Sequence, residues 1–328
     1  MTILTEKPTL FVIAKNDDLL KKHGESFQIR DKETSEIKKS FPALGIRDIM
    51  IYGKLDFEAD IFDLAEKNSI PIHFLSTGGK FRGSVIFDFT KNVFLRSTQF
   101  KFHFDEEKKF FLAQKFVKAK IENQNIVLQK IRAQARIDAD FAHITNLEQL
   151  RGFEGSTARQ YFQAWQKENL IKNPELEFAG RKKFPATDPI NSLLSFCFTL
   201  LHGEIHTQLL IAGLDPFVAF LHEQSYGHAS LASDFIEIFR GPVEHFVLKI
   251  FNRKELDIKD DFEKESTGSV KLSKSGFQKF FPKWIEFLRK EEFFGEKNLT
   301  QTIERDIRKF VHFLNGDEDD FQPFIWKK

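Results

Sequence analysis

Apolar residues change their spacing along this chain, and the change divides it in two. The first ninety or so residues carry four short apolar runs, at 9–14, 46–52, 70–75 and 81–87. Runs of that length predict strands. Gly78-Gly79 lies between the last two and predicts a tight hairpin turn. Phe57, Ile61, Leu64 and Ala65 recur at helical spacing, which predicts one helix over 57–67. After about Arg96 the pattern turns helical. Residues 110–136 contain neither Gly nor Pro and predict one long helix, with Phe116, Ile121 and Ile131 among its apolar positions. A second helix is expected over 148–166, weakened at its start by Gly152 and Gly155. A strongly apolar helix over 191–212 ends at Gly213. The next, over 231–251, carries a break or kink at Gly241-Pro242. Helices over 276–290, interrupted by Pro282, and over 300–314 complete the set. Asp317-Glu318-Asp319-Asp320 reads as a solvated acidic tail segment. With no internal repeat or low-complexity linker, the expected fold class is α+β in two domains. A small N-terminal β-rich domain covers 1–94, and a larger C-terminal α-helical domain covers 95–328.

Composition narrows this picture. A chain of 328 residues can build one large domain or two smaller ones around a sizeable core. Its 40 Phe against 2 Met and 3 Tyr read as compositional bias and core filling before they read as base-stacking platforms. The formal net charge of +1 means that any nucleic-acid surface must be a local patch, balanced by acid elsewhere. A single cysteine, Cys197, excludes an intramolecular disulfide and a multi-Cys zinc site. Residues 1–18 show no basic flank followed by an apolar core, so no signal peptide is expected. No apolar run reaches the roughly 18 residues that span a bilayer, and the expected location is the cytoplasm, without membrane contact. Basic residues gather in two places. Residues 101–136 hold nine Lys or Arg against four acids, and Lys115, Lys118, Lys120, Lys130 and Arg132 fall within the expected long helix. Arg181-Lys182-Lys183 forms a compact run. Phosphate contact is the functional reading of both; a solvated face is the commoner fate of such runs.

Three fragments could carry chemistry. His222 stands beside Glu223, ahead of a polar run over 224–230 that reads as a loop. Asp234 and Glu237 are three apart on the following helix, so they share one face beside an apolar stripe, where two carboxylates repel unless a cation sits between them. Glu154 lies between Gly152 and Gly155, and Arg159 is little more than one helical turn beyond it. Oxygen ligands with one imidazole suit Mg2+ or Mn2+ better than zinc. Such an ion can activate an attacking oxygen at a phosphodiester. Spacing alone leaves open whether the fragments converge. A competing site is His202 and His206, four apart on an expected helix. Glu204 follows the first of them by two residues, so the His-Glu-x-x-His order of zinc hydrolases is absent.

Read together, the fragments resemble CRISPR-associated protein one, the integrase of spacer acquisition. The resemblance runs over about residues 40–255, in order. It takes in Leu75-Ser76-Thr77-Gly78-Gly79-Lys80, Leu95-Arg96-Ser97-Thr98-Gln99 and Lys120-Ile121-Glu122-Asn123-Gln124. Leu150-Arg151-Gly152-Phe153-Glu154-Gly155 with Ala158-Arg159 follows, then Asp188-Pro189-Ile190-Asn191. The strongest block runs from Gly213-Leu214-Asp215-Pro216 through Phe220-Leu221-His222 to Ser233-Asp234-Phe235-Ile236-Glu237. The chain departs from the family at Ala219, where Gly is common, at Gly241, which separates Arg240 from Pro242, and near Glu244, where an Asp is usual. The resemblance implies a β-sandwich-like N-terminal domain and a helical C-terminal one. It implies a metal site of Glu154, His222 and Glu237, with Asp234 as a supporting or alternative ligand. DNA contacts would come from Arg159, Lys120, Arg181, Lys182 and Lys183. It further implies a metal-dependent DNA endonuclease and integrase that uses Mg2+ or Mn2+, acts on double-stranded DNA as a homodimer, and pairs with the small dimeric CRISPR-associated protein two. Two alternatives stay open: a related integrase of a mobile element, and a non-catalytic DNA-binding or assembly subunit.

Overall fold

The structure is a computed structural model that describes residues 7–15, 17–87, 92–183, 185–290 and 297–326. Residues 1–6 and 16 of the stretch read above for a signal peptide lie outside the described residues. Backbone contacts gather into two compact units: the described residues up to 93 together with 199–213, and residues 94–198 together with those from 214 onward.

In chain order the first unit holds β1 (Leu10–Ile13), β2 (Asp18–His23), β3 (Ser26–Asp31), β4 (Ile37–Pro42), β5 (Ile49–Tyr52), β6 (Asp56–Phe57), α1 (Asp60–Lys67), β7 (Ile72–Leu75) and β8 (Phe81–Val85). One four-stranded sheet runs β1-β5-β7-β8. Its first three strands are parallel, and the last is antiparallel. Every residue of β5 is buried, as expected of a central strand between parallel neighbours. The second four-stranded sheet runs β4-β3-β2-β6. Leu10, Val12, Ile49, Ile51 and Ile72 from one sheet and Leu20, Phe27 and Ile29 from the other share a core with Ile61, Leu64 and Ala65 of α1. All four expected strands are present, and the β7–β8 turn falls at the glycine pair. Gly79 there has φ +80°, and a Cβ on it would meet Leu200 Cδ2 at 2.5 Å, so only glycine fits. β2, β3 and β4 go beyond the sequence reading. Lysines in β2 and β4 and the polar residues of β3 mask the alternation, and β4 is exposed along almost its whole length. Helix α1 starts at Asp60, because Phe57 belongs to β6.

The helices that follow are α2 (Val93–Phe104), α3 (Glu106–Lys130), α4 (Leu147–Lys167), α5 (Pro189–Ile211) and α6 (Ser230–Asn252). A short antiparallel pair, β9 (Phe262–Lys264) and β10 (Val270–Leu272), precedes α7 (Lys274–Arg289) and α8 (Leu299–Asn315). From Thr199 onward α5 belongs to the first unit. Helix α3 begins earlier than its apolar pattern suggests, because the Asp105 carboxylate caps it by accepting the Lys108 N–H at 3.1 Å. It stops at Lys130, and Arg132 takes the left-handed conformation at φ +60°.

The expected break at Gly241-Pro242 is absent, as is the one at Pro282: α6 and α7 run through both prolines. A proline removes one ladder hydrogen bond and costs about 3 kcal/mol, and the almost complete burial of α6 outweighs that loss. Helices α3 and α6 pack together along a polar seam. Asn123 donates to the Ile238 carbonyl at 2.7 Å, and Gln124 donates to Glu244 Oε2 at 3.0 Å. Gly241 sits where the helices come closest, and a Cβ there would lie 2.8 Å from the Asn123 carbonyl oxygen.

Phenylalanine fills this core: the rings of Phe116, Phe235, Phe310 and Phe321 contact one another with centroids 5.2–6.4 Å apart. The acidic run is no free tail. Asp320 pairs with Lys115 at 2.6 Å and Asp317 with His312 at 2.9 Å. The strap beyond it buries Phe321, Phe324 and Trp326. Asn123 anchors the strap, accepting from the Trp326 N–H at 2.7 Å and donating to the Phe324 carbonyl at 2.9 Å. Among the described residues no helix is long and apolar enough to cross a membrane.

Candidate active site

Helices α3, α4 and α6 each bring one charged side chain to a common point in the second unit. Lys120 of α3 pairs with Glu237 of α6 at 2.7 Å and with Glu154 of α4. Lys120 and Glu237 keep only 3 % of their side-chain exposure, whereas Glu154 keeps 28 % and opens outward. Arg240, one turn beyond Glu237, donates from Nε to both carboxylate oxygens at 2.8 Å and lies over the Phe198 ring at 4.5 Å. Burial pushes the Glu237 carboxyl up, but the charges of Arg240, Lys120 and His222 more than reverse this and hold it below the ordinary carboxylate range.

His222 sits on the turn before α6, and Asp234 fixes it. The fully buried Asp234 carboxylate accepts the Phe220 and Leu221 N–H groups through Oδ2, at 2.7 and 3.0 Å. Through Oδ1 it accepts the His222 N–H at 2.9 Å and meets the imidazole Nδ1 at 2.8 Å. Burial lowers the His222 ring, yet the hydrogen bond and charge of Asp234, with the charge of Glu237, leave it raised. With Nδ1 engaged, Nε2 has no protein partner among the described residues. Helix α2 braces the same turn: Gln99 donates to the Asp215 and Val218 carbonyls at 2.8 and 3.0 Å, and His103 meets the Ala219 carbonyl at 2.6 Å.

A cavity of about 760 Å3 adjoins the cluster. Lys120, Arg159, Arg181, Lys182, Lys183 and Arg240 line it, against Glu154, Asp188 and Glu244. All five residues expected to contact DNA thus reach one space. They differ in freedom. Arg181 is engaged with Asn191 at 2.9 Å and Ser195 at 3.0 Å, and burial together with the Arg240 charge lowers it to about 10. The Arg240 charge, with burial, lowers Lys183 as well. Cations crowded enough to depress one another mark a field that an anion would relieve. Glu244 faces Gln124 at the inner end of the seam, and burial raises its carboxyl despite Arg240 nearby.

Two of the three expected metal ligands, Glu154 and Glu237, converge; His222 is tied to Asp234 instead of either glutamate. Among the described residues no group of three His, Cys, Asp or Glu stands ready around one point. The space between the two carboxylates is filled by the Lys120 ammonium, which marks a cation position. Two carboxylates around a cation, with an imidazole held nearby by a buried carboxylate, are a donor set that fits a hard divalent ion. Sequence reasoning gave Arg240 no role; its spacing of three from Glu237 on one helix face was the available signal. The rival pair lies elsewhere, in the first unit. There His206 stacks on Phe81 at 4.0 Å, and Glu204 is buried and accepts from Gln208 at 3.1 Å.

Comparison with known proteins follows the same lines. The family described as CRISPR associated protein Cas1 matches residues 11–286. The chain is 32 % identical over 324 residues to CRISPR-associated endonuclease Cas1 3 of Thermus thermophilus, covering 95 % of this chain and 96 % of that one. It is 32 % identical over 268 residues to CRISPR-associated endonuclease Cas1 1 of Thermodesulfovibrio yellowstonii, covering 77 % of this chain and 83 % of that one. Among solved structures, a casposase bound to its integration product shares the fold with a TM-score of 0.79 at 23 % identity, over 97 % of this chain and 94 % of the other. A Cas1 protein from Thermotoga maritima gives 0.76 at 22 % identity, over 98 % and 99 %. The matched span, which includes every residue of the cluster, together with the full-length likeness to curated relatives, makes this chain a member of the CRISPR-associated protein Cas1 family.

Proposed function

We propose that this protein is a divalent-metal-dependent DNA endonuclease and integrase that inserts short foreign duplexes into a CRISPR array. One observation carries the reading: carboxylates from two different helices meet on a single cation at the edge of a cavity lined by six Lys or Arg side chains. Glu154, His222 and Glu237 would hold Mg2+ or Mn2+, which when bound would activate the attacking oxygen and stabilise the departing one. Asp234 keeps the imidazole in one orientation, with Nδ1 engaged and Nε2 presented. Lys182, Lys183 and Arg159 position the phosphodiester backbone, while Arg181 braces the loop that carries the two lysines. Water in place of a DNA 3′-hydroxyl would give nuclease activity from the same groups.

The partners follow from relatives. One solved relative is a Cas6-RT-Cas1–Cas2 complex, and another is a Cas1 bound to DNA. By analogy this chain would act on double-stranded DNA, as a homodimer joined to CRISPR-associated protein two, in the cytoplasm. The fold shared with a casposase favours a second reading, an integrase of a mobile element with the same chemistry and another target.

The test is strand transfer of a short duplex into a repeat-bearing plasmid, with manganese and the partner subunit present. The native protein should join the duplex at repeat edges, and His222→Ala should lose at least about a hundredfold of product. Equal joining by both proteins would remove His222 from the site. Joining at unrelated sequences would favour the mobile-element reading, and no product from either protein would favour the non-catalytic one.

A further inference from the structure

We infer that Lys120 is an internal counter-ion that bridges the carboxylates of the metal site and must leave them when a divalent cation loads. The inference rests on Glu154 and Glu237 being metal ligands. The Lys120 ammonium is almost wholly buried and has no option but to be paired, since an unpaired buried charge is strongly destabilising. Its partners are the two carboxylates expected to bind metal. Two glutamates, Lys120 and Arg240 sum to zero charge, so the four groups balance one another. An incoming ion of charge +2 needs the same carboxylate oxygens. Glu237 Oε2 already accepts from both Lys120 and Arg240, so an ion can take that oxygen only where one of them leaves.

One of the two resident cations must therefore yield, and the geometry points to which. Arg240 is pinned by two hydrogen bonds to Glu237 and by the Phe198 ring beneath it. Lys120 sits at the end of a flexible four-carbon stem, and its side chain borders the cavity. Once displaced, its ammonium enters the space where the DNA phosphate is expected. A single side chain then links the two events: metal loading releases the cation that grips phosphate, and phosphate in the cavity keeps that cation away from the metal.

The experiment is calorimetric titration of manganese into the DNA-free protein, comparing wild type, Lys120→Met and Glu237→Gln. Lys120→Met should bind manganese at least tenfold more tightly than wild type. It should melt lower than wild type without metal, and gain more in Tm when manganese is added. An affinity equal to or weaker than wild type overturns the inference while leaving the metal site standing, provided Glu237→Gln abolishes binding. Unchanged binding by Glu237→Gln overturns the site itself and the inference with it. Should Lys120→Met fail to fold, a crystal structure of wild type with manganese decides. Lys120 Nζ beyond hydrogen-bond reach of Glu237 supports displacement, and a retained Lys120–Glu237 pair beside bound manganese overturns it.

Discussion

Asp234 and Glu237 look alike in the sequence, three apart on one helix face, yet their surroundings make them different tools. Four donors converge on the two Asp234 oxygens, which uses their whole accepting capacity and leaves nothing for an ion. Glu237 meets mobile or charged side chains instead of backbone amides. The helical period could show that both face inward but not which backbone groups approach them, so that choice stayed open at the level of sequence. Lys120 was legible as a basic residue expected to contact DNA but not as the partner of Glu154 and Glu237, because these lie far along the chain on other helices. Asp234→Asn keeps the shape but turns one acceptor into a donor facing N–H groups. We expect it to lose about 1–3 kcal/mol of stability in denaturant melts and to slow strand transfer about 10–100-fold. A variant with wild-type rate would mean that another group orients His222.

Helices were easier to read than strands, for a physical reason. The long amphipathic stretches of α3 to α8 repeat their apolar spacing over several turns, whereas β2 and β4 turn mostly lysines and exposed positions toward solvent. The misreading of Gly241-Pro242 is instructive at this scale. A Gly-Pro pair signals a break in an isolated helix, but here the glycine is a contact: without a side chain it lets α6 lie against the α3 backbone, in register with the Lys120–Glu237 pair. Gly241→Ala would force the two helices apart at that point. It should cost about 1–3 kcal/mol, read as a lower urea midpoint, and should reduce strand transfer even with manganese saturating. Unchanged stability would mean that the helices can slide past each other cheaply.

For the whole molecule, buried histidines set the response to acid. Burial lowers His73 to about 4, His206 to about 3 with help from the charges of His202 and His73, and His245 to about 3 with help from Lys249, Lys130 and Arg253. Each is neutral when folded and takes up a proton near its ordinary value of 6.5 when unfolded. The unfolded state therefore binds more protons below that value, so the stability is fully present above about pH 6.5 and is lost as pH falls toward 3–4. Asp306, which burial raises to about 6, works the other way, as do the raised Glu244 and His222, whereas the lowered Glu237 carboxyl adds to the loss in acid. We expect thermal melts to show Tm falling steadily from pH 7 to pH 5, as stability drops by about 1–2 kcal/mol per histidine. His206→Gln should flatten that slope, and a level profile would place these rings in contact with water. The two-part α+β division was visible in the change of apolar spacing. The end of the second unit was not, because the acidic run of 317–320 masks how firmly the strap behind it is held.

That strap has a consequence for the order in which the protein comes into being. Asn123 lies on the helix that carries Lys120, and its side-chain partners at Phe324 and Trp326 are synthesised some 200 residues later. Until those residues emerge, the seam that aligns Lys120 with Glu237 lacks its anchor, and four core aromatics lack one of their number. A nascent or prematurely ended chain thus carries the full set of chemical groups without the frame that aims them. Under the function proposed above, that delay keeps the groups that would act on DNA unaimed until the strap has been made.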